Sequence, residues 1–398
     1  MNNRNRIEIA DIFRRHGPEY RKRQRLSIEK LRVMGHIERC RTEALGGHVE
    51  ACNACGAKEI SYNSCRDRHC PKCQTLAKER WLTARKAELL PCGYFHLVFT
   101  LPHALNSLIL DNMAIMLGIF FTAVNETLQG FARNPSWRLN GRIGCIAVLH
   151  TWNQLILDHF HLHCLVPAGA LALDRSHWTK ARRKFLFRTD SLAKAFRNRY
   201  LDKLEKLHSQ GKLKLAGENA DRFANPEAFK SFLDQLRGRT WVAYAKAPFA
   251  GPEQVLEYLG RYTHRVAISN DRIKGMDEHT ITFSYRDRRQ SGEARREMIL
   301  AASEFIRRFL LHTLPSRFMK IRYFGFLAHT QKNACLPLIR QLMGVKPVNV
   351  PKLLVVEGPR EMMMRVLGVD VALCRKCGKG RMVVVERLPP GRGRMNSS

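Results

Sequence analysis

Two Cys-x-x-Cys pairs near the N-terminus constrain the fold more than any other feature of the chain. Cys52-x-x-Cys55 and Cys70-x-x-Cys73 are separated by fourteen residues. Pairs at this spacing are typical of zinc ribbons, in which four thiolates surround one tetrahedral ion. A chance group of free thiols is the weaker alternative, because the paired spacing is specific. We therefore predict one structural zinc ion, with no open coordination position, held by Cys52, Cys55, Cys70 and Cys73.

Further cysteines and histidines lie near this predicted zinc site. Cys65, His69 and His48 could replace one ligand or bind a second ion. A C-terminal Cys374-x-x-Cys377 pair has no second pair close to it in the sequence. A complete zinc site normally needs four ligands. We therefore expect no second full zinc site at the C-terminal pair.

The charge of the chain indicates a polyanionic partner. The 398 residues include 68 Lys or Arg and 35 Asp or Glu, which gives a net charge of +33. Phosphate contacts by such residues release counterions and add affinity for nucleic acid. The stretch from Arg175 to Lys214 holds thirteen basic residues against three acidic ones. We expect a phosphate-facing surface there, and a solvated face is the alternative for this stretch. For the charge of the whole chain, the alternative is a ribosome-like or membrane-surface protein. The residues predicted to contact nucleic acid are Arg182, Arg183 and Lys184 in the stretch from Arg175 to Lys214, and Arg66, Arg68 and Lys72 beside the second Cys-x-x-Cys pair.

The sequence lacks signs of a membrane or export segment. The first fifteen residues carry charges throughout and contain no apolar core of a signal peptide. The apolar stretch from Met113 to Val124 has twelve residues. A bilayer-spanning helix needs about 20. We therefore predict a buried core helix there and a cytoplasmic protein that has no membrane partner.

Three histidines alternate along one predicted strand. His159, His161 and His163 are spaced by two residues, which places their imidazoles on one face of a β-strand. Phe160, Leu162 and Cys164 then lie on the other face. A single histidine is usually a satisfied core residue, but three on one face indicate a divalent-metal clamp. A polar residue from the preceding strand could complete the site.

Two tyrosines lie one turn apart on a predicted helix from Pro252 to Thr263. Tyr258 and Tyr262 share a face with Val255 and Leu259. An apolar core stripe explains this pattern as well as a functional pair does. Paired phenols could instead attack a phosphodiester, provided that a metal polarises the phosphate. Arg261 and Arg265 would supply positive charge and phosphate contacts.

Together these motifs resemble one family. The order is a cysteine-rich N-terminal module, Phe99-Thr-Leu-Pro102, His161-Leu-His163, and then Glu257-Tyr-Leu-Gly-Arg-Tyr-Thr-His-Arg265. The chain resembles the two-tyrosine HUH (histidine, hydrophobic residue, histidine) transposases of insertion-sequence family ninety-one over about residues 5 to 385. The stretches from Cys40 to His48 and from Tyr62 to Cys73 are similar as well.

The resemblance implies a mechanism and a set of site residues. His161 and His163 would hold Mg²⁺ or Mn²⁺, and Gln154, on the preceding strand, would be the third ligand, with His150 and Glu257 as competitors. Tyr258 and Tyr262 would be the nucleophiles that form 5′-phosphotyrosine bonds with single-stranded DNA. The zinc-binding cysteines would belong to an N-terminal DNA-binding module.

The fold that the resemblance implies is α+β: an antiparallel HUH palm with helices packed on one side and a central histidine strand, preceded by a small helical and zinc-ribbon-like module. We expect a zinc-binding module over residues 1–91, a catalytic domain over 92–330 and a basic extension with a lone Cys-x-x-Cys over 331–398. The predicted function is rolling-circle transposition by cleavage and rejoining of single-stranded transposon ends and target DNA in the bacterial nucleoid. A replication initiator or relaxase, and a non-catalytic zinc-dependent DNA-binding protein, are the alternatives.

Overall fold

The structure is a computed structural model that describes residues 7–181, 186–246, 267–287, 295–345 and 358–391, together with residues 254, 256, 257, 260 and 263. Its architecture combines packed helices with antiparallel sheets. The predicted α+β class is therefore confirmed.

The N-terminal region consists of a helix pair, a hairpin and a third helix. Helices α1 (Ile9–Arg23) and α2 (Ile28–Arg39) pack together, and Ser27 caps α2 by accepting a hydrogen bond from the Lys30 amide. Strands β1 (Gly47–Cys52) and β2 (Lys58–Tyr62) form the antiparallel hairpin. Helix α3 (Pro71–Lys86) follows, with proline in its first turn.

A five-stranded antiparallel sheet forms the centre of the protein. Its order is β13-β5-β6-β3-β9, so β6, which carries the three alternating histidines, is the middle strand. This position agrees with the predicted central histidine strand. The strands of this sheet are β3 (Tyr94–Thr100), β5 (Cys145–Trp152), β6 (Asp158–Pro167), β9 (Val242–Lys246) and β13 (Ile321–Phe324).

Helices cover both faces of this sheet. One face carries Phe99 and Leu162 and packs against four helices, which are α4 (Asn106–Asp111), α5 (Met113–Arg133), α6 (Thr189–Ser209) and α8 (Pro226–Gly238). The opposite face carries the alternating histidines together with Val148 and Leu165. Leu82 of α3 and Leu336 of α10 (Lys332–Leu342) belong to the apolar cluster on that face. The expectation of helices on one side of the sheet is therefore too simple.

Helix α5 contains the apolar stretch that the sequence predicts to be a core helix. It is long and apolar enough to cross a membrane by length and composition. Its inner residues, including Phe120, Phe121 and Val124, are fully buried against the central sheet and its neighbouring helices. The burial of this face explains the apolar composition, because core helices bury a wide apolar stripe.

A second core joins the N-terminal helices to a separate sheet. Phe13 of α1 packs edge-on against Phe309, with ring centroids 5.2 Å apart. The sheet contains β10 (Ile273–Met276), β11 (Thr280–Arg286) and β12 (Arg295–Ala301), and helix α9 (Ala302–Leu311) follows it. Strands β4 (Gly141–Arg142), β7 (Gly169–Ala172) and β8 (Trp178–Lys180) form a small third sheet, and α7 (Glu218–Arg222) precedes α8.

The C-terminal residues return to the N-terminal module. Helix α11 (Pro359–Leu367) contacts α3, and strand β14 (Met382–Leu388) pairs with β1 to give a sheet of order β14-β1-β2. The two ends of the chain therefore fold as one unit.

Candidate active site and metal centres

Three histidines on neighbouring central strands form the candidate active site. His161 and His163 lie on β6, and His150 lies directly opposite His161 on β5. One ring nitrogen from each lies within 4.8 Å of the others. His150 and His163 are buried, whereas His161 is only partly covered. The arrangement can hold one divalent ion through three imidazole nitrogens while leaving it accessible beside His161.

Hydrogen bonds orient two of these rings. The Nδ1–H of His161 donates to the carbonyl oxygen of His159 at 2.8 Å, which leaves Nε2 with its lone pair. Nδ1 of His163 lies 2.8 Å from Nε2 of His96, and the two ring planes are nearly parallel, at 9° to one another. His96 is buried on β3 and was not predicted as a site residue. Supports of this kind set the tautomer and direction of a metal-binding histidine.

The geometry favours His150, not Gln154, as the third ligand. The side-chain oxygen of Gln154 accepts a hydrogen bond from the Arg286 amide at 3.4 Å, which turns it toward β11. The competitor Glu257 is exposed, and its carboxylate lies 3.9 Å from Lys86. Gln154, the predicted third ligand, lies in the turn after β5, whereas its competitor His150 lies on the strand and pairs with His161.

The predicted tyrosine nucleophiles Tyr258 and Tyr262 lie outside the described residues, as do Arg261 and Arg265. The described residues of the same segment are helical. Leu256 belongs to the buried cluster on the histidine face of the sheet. Gly260 faces Leu82 of α3 so closely that an added Cβ would lie 2.7 Å from it. Leu256 and Gly260 therefore lie against α3 and the apolar cluster on the sheet face that carries the histidines.

The four cysteines predicted to bind one zinc ion lie in two separate clusters, so the predicted grouping is wrong. The first cluster joins Cys70 and Cys73 to Cys40 and Cys65, and the second joins Cys52 and Cys55 to Cys374 and Cys377. The physical reason is the β1–β2 hairpin. The first knuckle lies at its tip and the second lies near its base, roughly 16 Å away at about 3.3 Å per residue over the five residues of a strand.

The first cluster lies where three elements meet. Cys40 caps the end of α2, Cys70 precedes α3, and Cys65 lies in the loop between β2 and α3. The Sγ atom of Cys73 lies 3.6 Å from those of both Cys40 and Cys65. Four thiolates at this spacing suit a closed, structural zinc site.

The second cluster shows that the C-terminal cysteine pair is not alone. The Sγ–Sγ distance is 3.7 Å both between Cys52 and Cys377 and between Cys55 and Cys374. The expectation of no second complete set of ligands is therefore wrong. A signal was present in the sequence, because Cys52-x-x-Cys55 and Cys374-x-x-Cys377 are each followed directly by glycine and Cys70-x-x-Cys73 is not.

The loop that carries Cys65 and Cys70 also connects two parts of the protein. The Arg68 guanidinium donates to three carbonyl oxygens of the segment after α9, those of Leu314, Pro315 and Phe318. Arg68 is therefore an internal link and not the predicted nucleic-acid contact. Lys72 forms an ion pair with Glu8, whereas Arg66 is exposed.

A carboxylate joins two histidines within this loop. Asp67 accepts from His36 at 2.7 Å and from His69 at 2.9 Å. Despite the cost of burial, these hydrogen bonds lower the pKa of Asp67 to about 2.

His69 is buried, contacts Asp67 and lies outside the cysteine cluster, so it is not one of the first cluster's four ligands. His48 likewise lies outside both cysteine clusters, 3.6 Å from Glu50.

The basic stretch after Arg175 does not border the histidine cluster within its described part. Helix α6 buries Phe196 and Tyr200 against the opposite face of the central sheet. Its exposed residue Lys194 points away from that core. Arg182, Arg183 and Lys184 lie outside the described residues.

The fold and the site define an α+β protein with an imidazole cluster on a central strand and an N-terminal module rich in cysteine. Residues 144–334 match the family described as "Putative transposase", and residues 12–101 match "Transposase zinc-binding domain". The chain is 45% identical over 383 residues to a Sinorhizobium fredii (strain NBRC 101917 / NGR234) protein named "Putative transposase y4qJ", covering 95% of both chains. It is 27% identical to the "Transposase for insertion sequence element IS801" of Pseudomonas savastanoi pv. phaseolicola, covering 86% of this chain and 80% of that protein.

The chain therefore belongs to the transposases of insertion-sequence family ninety-one, which confirms the resemblance. It is an enzyme that acts on DNA and has a zinc-binding domain at its N-terminus. No solved structure matches the chain.

Proposed function

We propose that this transposase cleaves and rejoins single-stranded DNA at transposon ends and targets, through 5′-phosphotyrosine bonds, during rolling-circle transposition. The observation that carries the proposal is the convergence of His150, His161 and His163 on the central strands of the sheet. Leu256, from the predicted tyrosine helix, belongs to the apolar cluster on the same face. The reaction would take place in the bacterial cytoplasm, at the nucleoid.

The three imidazoles would hold the catalytic divalent ion. They fit such an ion because their nitrogens share one small volume and His161 remains partly accessible. When bound, Mg²⁺ or Mn²⁺ would act as a Lewis acid on the scissile phosphate. Nδ1 of His161 is engaged with a backbone carbonyl, so Nε2 would be its ligand atom. His96 would orient the ring of His163 through the hydrogen bond that the two residues share.

Tyr258 and Tyr262 would be the nucleophiles. The phenol oxygen of one of them attacks the phosphorus, the bond from phosphorus to the 3′-oxygen breaks, and the phenolic proton leaves to solvent or a nearby base. The products are a 5′-phosphotyrosine and a free 3′-hydroxyl. Attack of a 3′-hydroxyl on the phosphotyrosine reverses the step, so the bond energy is retained and no ATP is required. A second tyrosine permits another cleavage before the first strand is released.

The N-terminal zinc would be held by Cys40, Cys65, Cys70 and Cys73. This assignment places all four ligands inside the part of the chain that matches the zinc-binding domain. Arg66, exposed within the same loop, would contact phosphate. The module would then dock DNA while the sheet carries out the chemistry.

Covalent trapping on a single-stranded transposon end tests the proposal. The wild type with Mn²⁺ should give a protein–DNA adduct that survives denaturation and maps to Tyr258 or Tyr262. Each single Tyr→Phe variant should keep partial cleavage, and the double variant Tyr258→Phe/Tyr262→Phe should lose the adduct with little change in stability. An adduct that persists in the double variant would show that the nucleophile lies elsewhere.

His161→Ala provides the matching test of the metal site. It should abolish cleavage and leave DNA binding nearly intact, because the ion acts on the transition state and not on docking. Normal cleavage by this variant would contradict the assignment. Binding without cleavage by the wild type itself would instead indicate a non-catalytic zinc-dependent DNA-binding protein. Cleavage confined to a replication origin or a plasmid transfer origin would indicate an initiator or relaxase.

A further inference from the structure

We propose that Cys52, Cys55, Cys374 and Cys377 bind a second structural zinc ion, which fastens the C-terminal segment to the N-terminal module. We call this set the terminal clasp. The two matched families cover residues 12–101 and 144–334, so Cys374 and Cys377 lie outside both. The site goes beyond the DNA chemistry and would exist even if the chain cleaved no DNA.

The sulfur positions fit a tetrahedral zinc ion. With zinc–sulfur bonds of about 2.3 Å, the edge of a regular tetrahedron of sulfurs is about 3.8 Å. The Sγ atoms of Cys52 and Cys377 are 3.7 Å apart, as are those of Cys55 and Cys374. All four sulfurs lie within 4.8 Å of one another. A disulfide would need a sulfur–sulfur bond of about 2.05 Å, so the four cysteines of the clasp are not cross-linked.

The two knuckles of the clasp have the same backbone geometry. In each, the glycine that follows the second cysteine has a positive φ, 69° at Gly56 and 66° at Gly378. In each, that glycine's amide donates to the carbonyl of the first cysteine, at 3.0 Å in one knuckle and 2.8 Å in the other. A turn of this kind brings both sulfurs of a pair to one side. The positive φ requires glycine because a side chain is strained there.

Backbone amides also point at the sulfurs. The amides of Ala54 and Cys55 lie 3.4 Å from the Cys52 sulfur, and the amide of Gly380 lies 3.3 Å from the Cys377 sulfur. Amides aimed at sulfur stabilise a thiolate, which is the form that binds metal. Neutral thiols are weak hydrogen-bonding groups and would gain little from this convergence.

The clasp joins parts of the chain that are more than 300 residues apart. Cys52 ends β1, and the C-terminal knuckle directly precedes β14, which pairs with β1 from Gly47 to Cys52. On the same side, Arg360 of α11 forms an ion pair with Glu50 at 3.0 Å. The ion would thus hold the C-terminal strand in the sheet of the N-terminal module.

This closure also positions helix α11 near the predicted tyrosine helix. Arg365 of α11 lies 3.7 Å from Glu79 of α3. Arg365, Glu79, Lys86 and Glu257 all line one groove of about 300 Å³. Release of the clasp would therefore free one wall of the groove beside Glu257.

Thiol footprinting of the full-length wild type tests the clasp without any substitution. The purified, zinc-loaded chain is treated with iodoacetamide, and each cysteine is followed by mass spectrometry before and after a strong chelator is added. Cys55 is the informative residue because it is exposed, so burial cannot protect it. We expect Cys55 and Cys377 to resist alkylation until zinc is removed. Equal rates with and without chelator would overturn the proposal.

Metal counting assigns the ions to the two clusters. Elemental analysis, made in the His161→Ala background so that the imidazole cluster takes up no zinc, should find two zinc ions per chain, and two again when the control substitution Cys92→Ser, whose thiol belongs to neither cluster, is added. The variants Cys374→Ser/Cys377→Ser and Cys65→Ser/Cys73→Ser should each retain one ion. Tryptic cleavage at Arg375 and Lys379 should become fast only when the clasp is lost. An unchanged zinc content in Cys374→Ser/Cys377→Ser would refute the site, whereas loss of DNA cleavage alone would bear only on the proposed function.

Discussion

Hydrogen bonds at Nδ1 orient two of the three imidazoles in the candidate active site, those of His161 and His163. His161 donates from Nδ1 to a carbonyl on its own strand, and His163 shares a hydrogen bond with His96 of the neighbouring strand. Both bonds involve Nδ1, so both leave Nε2 as the ligand atom when Nδ1 carries the proton. His96 is therefore a positioning residue, since it acts through His163.

We predict that His96→Phe weakens the catalytic metal site while preserving the packing of β3. Loss of a support behind a ligand typically costs 10–100-fold in metal affinity or activity. The His96→Phe variant should therefore need about 10–100 times more Mn²⁺ for cleavage, and its cleavage rate should recover at saturating metal. The measurement is cleavage rate against Mn²⁺ concentration. His159→Gln is the control, because it keeps the backbone carbonyl that His161 uses and should leave the curve unchanged. A lower rate for His96→Phe that excess metal does not restore would argue against this role.

The all-nitrogen ligand set predicts a metal preference. Imidazole suits later transition ions, whereas Mg²⁺ prefers oxygen ligands and gives up its water reluctantly. Cleavage should therefore saturate at a lower concentration of Mn²⁺ than of Mg²⁺. Titration of the wild type with each ion measures the difference, and equal or better saturation with Mg²⁺ would point to an oxygen ligand in the site.

Buried His312 should make stability depend on pH. Its Nε2–H donates to the Ile156 carbonyl and its Nδ1 lies 3.1 Å from the Thr151 hydroxyl, so the ring is held neutral. Burial lowers the pKa of His312 to about 4 from 6.5. As the pH falls, the unfolded chain therefore binds a proton at His312 before the folded chain does. The contribution of neutral His312 to the free energy of unfolding is complete above pH 6.5 and is lost as the pH falls toward 4.

The expected loss is about 3 kcal/mol in the free energy of unfolding. His312→Gln can still donate to the carbonyl but cannot titrate. Urea unfolding of both proteins from pH 7 to pH 4 should show their difference shrink by about that amount. A constant difference across this range would mean that His312 has a similar pKa in the folded and unfolded chains.

At the scale of elements, the loop between β2 and α3 has two roles that its sequence does not separate. Arg66 and Arg68 both looked like phosphate contacts. In the folded chain Arg66 is exposed, and Arg68 links the zinc module to the segment after α9 through three carbonyls. Irregular backbone fixes no relation between the directions of Arg66 and Arg68, so the position of the neighbouring segment decides which of them is covered.

The two arginines should give opposite results on substitution. Arg68→Ala should lower the free energy of unfolding by about 2–4 kcal/mol, because three partly buried carbonyls lose a charged donor. It should leave the salt dependence of DNA binding unchanged. Arg66→Ala should change stability little and reduce the salt slope by about 0.7–0.9, the value for one phosphate. Urea unfolding and DNA titrations at several salt concentrations check both, and a reversal of the two patterns would contradict the assignment.

Over the whole molecule, the net charge of +33 predicts strongly salt-dependent DNA binding. Each neutralised phosphate of a single strand contributes about −0.7 to the slope of log K against log salt. A footprint of five or more phosphates should therefore give a slope of about −3.5 or steeper. Fluorescence anisotropy with a single-stranded transposon end measures it. A slope near zero would mean that the positive surface does not contact DNA.

The sequence by itself determined the local features of this protein. Alternation along residues 159–164 placed His161 and His163 on one face, because side chains on a strand point to opposite sides in turn. The charge balance indicated DNA, and the Cys-x-x-Cys spacing indicated zinc. Each of these inferences depends on residues close together in the chain, where backbone geometry alone fixes their relation.

Tertiary structure decided which distant residues share a site. His150 joins the histidines because β5 pairs with β6, and His96 joins them because β3 pairs on the other side. The two cysteine knuckles separate because a hairpin lies between them, and Cys374 and Cys377 meet Cys52 and Cys55 because β14 pairs with β1. Strand pairing and burial act over hundreds of residues. Sequence spacing therefore predicted the kinds of ligand but not which of them belong together.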